Sequence, residues 1–351
     1  MRIAYIVSSL SNAGPIIVVH NLVQLMTSHG HYCKVYYFDD KIELNFHCDK
    51  ERITFRSQID FKKFNIIHTH GNRPDLYVFL KKPFRTSSIF ISTIHGNLFL
   101  DKNGSIGNKL KSWINSCIVL TFMSRHDHYI FLTKFSAAHY QKWFSPRKID
   151  YAYNSVIIHS DEVLSQDEMN EVNTFKEKSL LIGANCSLID RKGIDIVIKA
   201  MPYLPDYKLF LVGDGPMRNE LEKLAMNLKI KSRVYFAKYR AFAYRYLPYY
   251  DIYVIPSWNE GFPLAMLEAA YFKKKIVCSN LPIFKEIFTV EEVSMFDLEN
   301  PISIVSAIKN ALLDNRLGEN VYSHFCKEYS PSCMYHTYEK LYQKYIDKIS
   351  L

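Results

Sequence analysis

Two carboxylates with seven residues between them frame the segment richest in chemistry, Glu260-Gly-Phe-Pro-Leu-Ala-Met-Leu-Glu268. The apolar run before it predicts a strand ending near Pro256. A loop containing Gly261 then leads into a helix with Pro263 near its first position. The free N–H groups and the dipole of that helix start would attract an anion, and Gly261 would let it approach the backbone closely. Glu268 is the only charged residue in the run Leu-Ala-Met-Leu-Glu-Ala-Ala-Tyr-Phe. A helix that apolar is mostly buried, and burying an unpaired carboxylate is costly. A carboxylate accepting two vicinal hydroxyls would account for it, and so would an internal ion pair. Glu260 reads as a ligand-facing loop carboxylate, an exposed one, or a partner of the helix dipole.

The elements that must position these residues alternate between strand and helix. Strands are expected at 2–8, 33–38, 65–69, 88–93 and 129–132, with helices ending near Gly30 and spanning 136–143. The polar stretch 159–178 reads as a linker. The alternation then restarts, with strands at 179–183, 208–212, 234–236, 252–255 and 276–278 and helices at 194–201, 217–228 and 263–272. Tyr338, Leu341, Tyr342 and Tyr345 mark a final amphipathic helix. The expected fold class is α/β: two doubly wound Rossmann-like domains facing across a cleft. The expected boundaries are 1–160, 161–330 and a C-terminal helix over 331–351 that packs back on the first domain. Ligands of such sheets bind beyond the strands' carboxyl ends, so the cleft is the expected site.

Composition sets the outer bounds. The chain has 351 residues, 48% hydrophobic and 23% charged, which excludes a disordered or collagen-like protein. No apolar window approaches the length of a membrane span, and the start MRIAYIVSSL reads as a buried strand rather than a signal peptide. Seven scattered cysteines without a C-x-x-C argue for a reducing compartment and against a zinc site. His68/His70 and His126/His128 share the spacing of paired metal ligands, but no third ligand accompanies them, so no metal is expected. His139 and Trp143, one helical turn apart, read as packing. The net charge of +9 is concentrated in the first 160 residues, which also hold 11 of the 13 histidines. That imbalance suggests an anionic partner. Nucleic acid is not expected, because no recognised binding motif is present.

The Glu-x7-Glu pair resembles the signature of the retaining glycosyltransferases of family 4, which have the GT-B fold. Further motifs follow in the family's order. Val212-Gly-Asp-Gly215-Pro216 is similar to its Gly-Asp-Gly-Pro turn, and Lys192-Gly193 to its Lys-Gly motif. Asn154-Ser-Val156 is similar to its interdomain Asn-Gly-Val, and Ile67-His-Thr-His-Gly71 and Thr93-Ile-His95-Gly96 to its N-domain strand ends. The resemblance implies a nucleotide-diphosphate sugar donor, with uridine the commonest base, and metal-independent catalysis without a cofactor. It places Glu268 on the ribose hydroxyls and Glu260 on the donor sugar. Lys192 falls on the diphosphate, with Phe262, Pro263, Leu264 and Gly261 where the diphosphate or sugar is held. Gly215 and Arg191 fall on the donor side, Gly14 on the loop that approaches the phosphates, and His95 near the donor sugar and acceptor. The family's Arg five positions before the Lys is Ser187 here, and Arg191 or Arg240 would have to supply that charge. The Gly-Leu-Pro usual after the helix is Lys273-Lys-Lys275, and the N-terminal Gly-Gly is Ala13-Gly14.

The expected product is bacterial surface polysaccharide, O-antigen, capsule or lipopolysaccharide. The expected acceptor is a saccharide or an undecaprenyl-diphosphate-linked saccharide, reached from the cytoplasm at the anionic inner membrane face. Candidate contacts are Arg73, Lys81, Lys82, Arg85, Lys109 and Lys111, with Trp113, Ile114, Ile118, Val119 and Leu120 dipping into the headgroups. Two alternatives share the fold: a nucleotide-sugar epimerase and a catalytically degenerate membrane-associated scaffold.

Overall fold

The structure is a computed structural model. It describes residues 1–96, 106–159, 161–300 and 302–348, with the backbone alone over 106–112. Contacts divide the chain into two compact units, Met1–Val156 with Ser330–Leu351, and Ile157–Tyr329.

The first unit holds, among the described residues, seven strands: β1 (Arg2–Val7), β2 (Tyr32–Tyr37), β3 (Asp49–Arg52), β4 (Ile66–His70), β5 (Ile89–Ile94), β6 (His128–Phe131) and β7 (Ile149–Tyr151). They pair in the order β3-β2-β1-β4-β5-β6-β7, all parallel. The central strands β4 and β5 are buried at every position, as helices covering both faces of a parallel sheet require. Edge strand β3, Asp-Lys-Glu-Arg, is exposed throughout and carries no hydrophobic pattern by which to predict it.

The second unit repeats the design with β8 (Leu180–Asn185), β9 (Tyr207–Val212), β10 (Val234–Phe236), β11 (Ile252–Ile255), β12 (Lys275–Ser279) and β13 (Ser294–Phe296). Their order is β10-β9-β8-β11-β12-β13, again parallel, so the winding reverses between β8 and β11. Gly183 in β8 makes room for the buried ring of Tyr250, with which any Cβ there would collide.

The expected linker over 159–178 needs correction. Gln166–Lys176 is a helix, opened by a capping box in which Ser165 accepts from the Glu168 N–H while the Glu168 carboxylate accepts from the Ser165 N–H. The last helix, Pro331–Asp347, belongs to the first unit and buries Tyr338, Leu341, Tyr342 and Tyr345 there. Its Tyr345 hydroxyl donates to Asp150 at 2.8 Å, beside the ion pair of Lys344 with the same carboxylate. Tyr342 hydrogen-bonds His68 Nδ1 at 2.7 Å.

Candidate donor site at the strand ends

In the second unit the loops after β8 and β11 are joined at one carboxylate. The chain leaves β11 through Pro256–Glu260. Opposite it, the turn Asp190–Lys192 closes on Gly193, which has φ +64 and so favours glycine. A Cβ at Gly193 would strike the Pro256 carbonyl oxygen. The close approach lets the Trp258 N–H donate to the Arg191 carbonyl at 2.8 Å and Arg191 Nη1 donate to the Asn259 carbonyl at 3.1 Å. Ser279, at the end of β12, donates to the Ser257 carbonyl at 2.6 Å and holds the loop from the other side.

Glu260 is the group on which these loops converge. It is only 7% exposed, which rules out an exposed loop carboxylate. Lys192 Nζ donates to its Oε1 at 2.5 Å and Ser257 Oγ donates to the same oxygen at 2.7 Å, while Arg191 Nη1 faces Oε2 at 3.4 Å. Of the two cations considered as substitutes at Ser187, Arg191 is the one carried here. Arg240 instead pairs with Glu171 at 3.5 Å, and Ser187 itself is exposed.

Glu268 has a different environment. It lies on the helix Leu264–Tyr271, partly exposed, and among the described residues its carboxylate makes no hydrogen bond and no ion pair. The internal ion pair considered above is therefore absent among the described residues. Burial pushes its carboxyl up to about 7. Burial and then the Glu268 charge raise the hydroxyl of Tyr253 well above its ordinary value. Pro263 caps the helix, one position earlier than expected, and the N–H groups of Leu264 and Ala265 make no hydrogen bond among the described residues. Phe262 and Pro263 are buried. Gly215 serves the approach of neighbouring loops: a Cβ there would meet the Leu188 carbonyl, and Leu188 exchanges hydrogen bonds with Asp214 and Met217 at 2.9 and 3.0 Å. Ser257 and Tyr253 were not expected from the sequence. Ser257 was available from its Ser-x-x-Glu spacing to Glu260, whereas Tyr253 looks like any strand aromatic.

In the first unit, His95 stands at the end of β5, partly exposed, with Nε2 2.8 Å from His70 Nδ1. Burial pushes its imidazole down to about 4. The His-x-His pairs enter separate networks. His68 binds Tyr342 and Thr93, His126 binds Thr69, and His128 stacks on Tyr345. His139 packs on Trp143, ring centroids 5.4 Å apart. Gly14 is the exposed first residue of the helix Gly14–Ser28.

Among the candidate acceptor contacts, Lys82 is corrected. It is largely buried, donating to Asp127 at 2.6 Å and to the Arg125 carbonyl at 2.9 Å. Arg73 is exposed but paired with Asp39 at 2.6 Å. Lys81 and Arg85 make no ion pair among the described residues, Lys81 being partly exposed and Arg85 exposed. The side chains of Lys109 and Lys111 lie outside the described residues. Trp113, Ile114 and Ile118 are exposed on the helix Ile106–Met123, but Val119 is buried in the core and does not face a membrane.

The convergence on Glu260 makes a measurable claim. In a double-mutant cycle of Lys192→Met and Glu260→Gln, urea unfolding should give a coupling of about 1–3 kcal/mol. A coupling near zero would show that the pair is incidental.

The comparisons with known proteins agree with this geometry. The pattern of the family described as "Glycosyl transferases group 1" matches residues 165–324. The O-antigen biosynthesis glycosyltransferase WclY of Escherichia coli is 30% identical over 354 residues, 97% of this chain and 98% of its own length. A second E. coli enzyme, UDP-Gal:alpha-D-GlcNAc-diphosphoundecaprenol alpha-1,3-galactosyltransferase, is 21% identical, covering 77% of this chain and 73% of its own. The crystal structure of Anabaena HepE in complex with UDP superposes with a TM-score of 0.81 at 14% identity, covering 98% of this chain and all of that one, a likeness that shows the GT-B fold. With a relative this similar along nearly its whole length, and with the Lys-Gly, Gly-Asp-Gly-Pro and Glu-x7-Glu motifs on the second unit, the chain belongs to the group 1 glycosyltransferases.

Proposed function

We propose that the protein is a retaining glycosyltransferase. It moves a hexose or N-acetylhexosamine from a UDP-sugar to a saccharide or undecaprenyl-diphosphate-linked saccharide during surface-polysaccharide synthesis. The observation that carries the reading is the pairing of a buried, cation-bound Glu260 with an unpaired Glu268 on the loop and helix that follow one central strand. The names of the similar proteins support the rest: O-antigen biosynthesis, a diphosphoundecaprenol acceptor, and bound UDP.

The chemistry follows from what each group can offer. Cleaving the sugar–phosphate bond builds negative charge on the departing diphosphate. Lys192 has three N–H donors and spends one on Glu260, leaving others for phosphate oxygens. The unbonded N–H groups of Leu264 and Ala265 and the dipole of their helix add to that stabilisation. Fixed donors of this kind need no metal and no cofactor. Glu260, held rigid by its cations, serves the donor sugar, and no nucleophilic role is assigned to it. Glu268 accepts hydrogen bonds from the two ribose hydroxyls, and His95 serves the donor sugar.

The acceptor side rests on exposure and charge. Phe84, Leu80, Trp113, Ile114 and Ile118 are exposed apolar groups on or beside two helices of the basic half, near Lys81 and Arg85. We assign this region to a peripheral contact with an anionic membrane. Among the described residues no helix is long and apolar enough to cross one.

Two outcomes follow. Hydroxyl donation favours the ionised form of Glu268, whose carboxyl burial pushes up to about 7. UDP affinity measured by calorimetry should therefore fall as pH is lowered from 8 to 6, by up to about tenfold, and Glu268→Gln should flatten the profile. A flat profile in the native protein would contradict the ribose assignment. In vesicle co-sedimentation, the protein should bind phosphatidylglycerol vesicles but not phosphatidylcholine, with Phe84→Asp and Ile118→Asp each weakening capture. Equal capture by both vesicle types would contradict the charge component.

A further inference from the structure

His70, the last residue of β4, is 2% exposed. Its ring lies between those of His68 and His95, at centroid distances of 4.3 and 5.0 Å, with Tyr5 at 6.3 Å. Nδ1 is 2.8 Å from His95 Nε2. Its other nitrogen, Nε2, is buried with no hydrogen-bond partner among the described residues. Burial and the neighbouring histidines keep His70 well below its ordinary pKa, and burial keeps His95 near 4, so each ring carries one proton at neutral pH.

Two proton arrangements satisfy the His70–His95 hydrogen bond. If His95 Nε2–H donates, the proton of His70 sits on its own Nε2, a buried N–H with no acceptor. If His70 Nδ1–H donates, the unpartnered His70 nitrogen is a bare acceptor. Orphaned buried N–H groups are rarer in folded proteins than under-satisfied acceptors, so the second arrangement is the favoured one. His95 then accepts at Nε2 and carries its proton on Nδ1, which makes no hydrogen bond among the described residues.

We infer that His70 is a positioning residue for His95: its Nδ1–H fixes the His95 ring and tautomer, so that His95 presents Nδ1–H to a substrate oxygen as a neutral hydrogen-bond donor. The inference rests on the reading that His95 serves the donor sugar. A sugar hydroxyl or a phosphoryl oxygen fits a neutral N–H. General-base catalysis by His95 is excluded in this state, because its only basic nitrogen is occupied by His70. The surroundings make the arrangement rigid. His68, two residues earlier on β4, is bonded on both nitrogens, to Tyr342 and to Thr93 Oγ1, each at 2.7 Å. The end of β4 is thereby tied to β5 and to the last helix.

The test combines isosteres with a direct reading of the proton. The side-chain amide of Asn overlays imidazole Nδ1, and that of Gln overlays Nε2. His70→Phe should lower kcat about tenfold or more with little change in donor KM. His70→Asn should restore most of that loss and His70→Gln should not. Nitrogen-15 NMR of the histidine-labelled full-length protein should show His95 as the Nδ1–H tautomer, assigned by its loss in His95→Ala. That spectrum needs no folded His70 variant. An Nε2–H tautomer at His95, or full kcat in His70→Phe where His95→Ala is slow, would overturn the proposal. Full turnover by His95→Ala would instead overturn the reading that His95 serves the donor sugar, and the native tautomer would still decide the role of His70.

Discussion

A carboxylate leaves water only where cations and donors surround it, and Glu260 imposes that condition on the second domain. Meeting it requires Lys192 and Arg191 from the turn after β8, Ser257 from the loop after β11, and Ser279 from the end of β12 to secure that loop. The turn can approach only because Gly193 adopts a positive φ and has no Cβ to strike the Pro256 carbonyl. The reversal of winding between β8 and β11 sets these loops side by side, as open α/β sheets do where they bind ligands. The ion pair thus links the sheet topology to the placement of the donor site.

Glu268 is the complement of Glu260. One carboxylate is neutralised by two cations, whereas the other has no partner among the described residues and is raised toward neutrality by burial. An unpaired, desolvated carboxylate destabilises a fold unless a ligand compensates it. On the proposed reading the two divide the work: Glu260, fixed by its cations, serves the donor sugar, and Glu268 receives the ribose hydroxyls. In the first domain the histidine network of β4 and β5 supplies neutral donors instead of charges.

Much of this was legible in the residues. A central strand such as Ile252–Ile255 is buried at every position and so reads as an apolar run. The Glu-x7-Glu spacing, with one charge in an apolar helix, marked both carboxylates before any geometry. What escaped did so for identifiable reasons. Exposed β3 has no apolar residue, so nothing in its pattern marks a strand. The helix Gln166–Lys176 buries Val172 alone, so its capping box was a better signal than its hydrophobicity. Lys82 looked like a surface charge because Asp127, its partner, lies 45 residues away in sequence. Of the two replacements considered for the family's arginine, only Arg191 reaches Glu260, a choice made by the turn at Gly193 and not by charge.

The central claim is that Glu268 recognises the ribose of a nucleotide donor, and one titration tests it most directly. The full-length protein is titrated calorimetrically with UDP and with 2′,3′-dideoxy-UDP. The account predicts that removing the two hydroxyls weakens binding at least about tenfold, because each hydrogen bond to a charged group contributes about 1.5–3 kcal/mol. Equal affinity for the two nucleotides would contradict it.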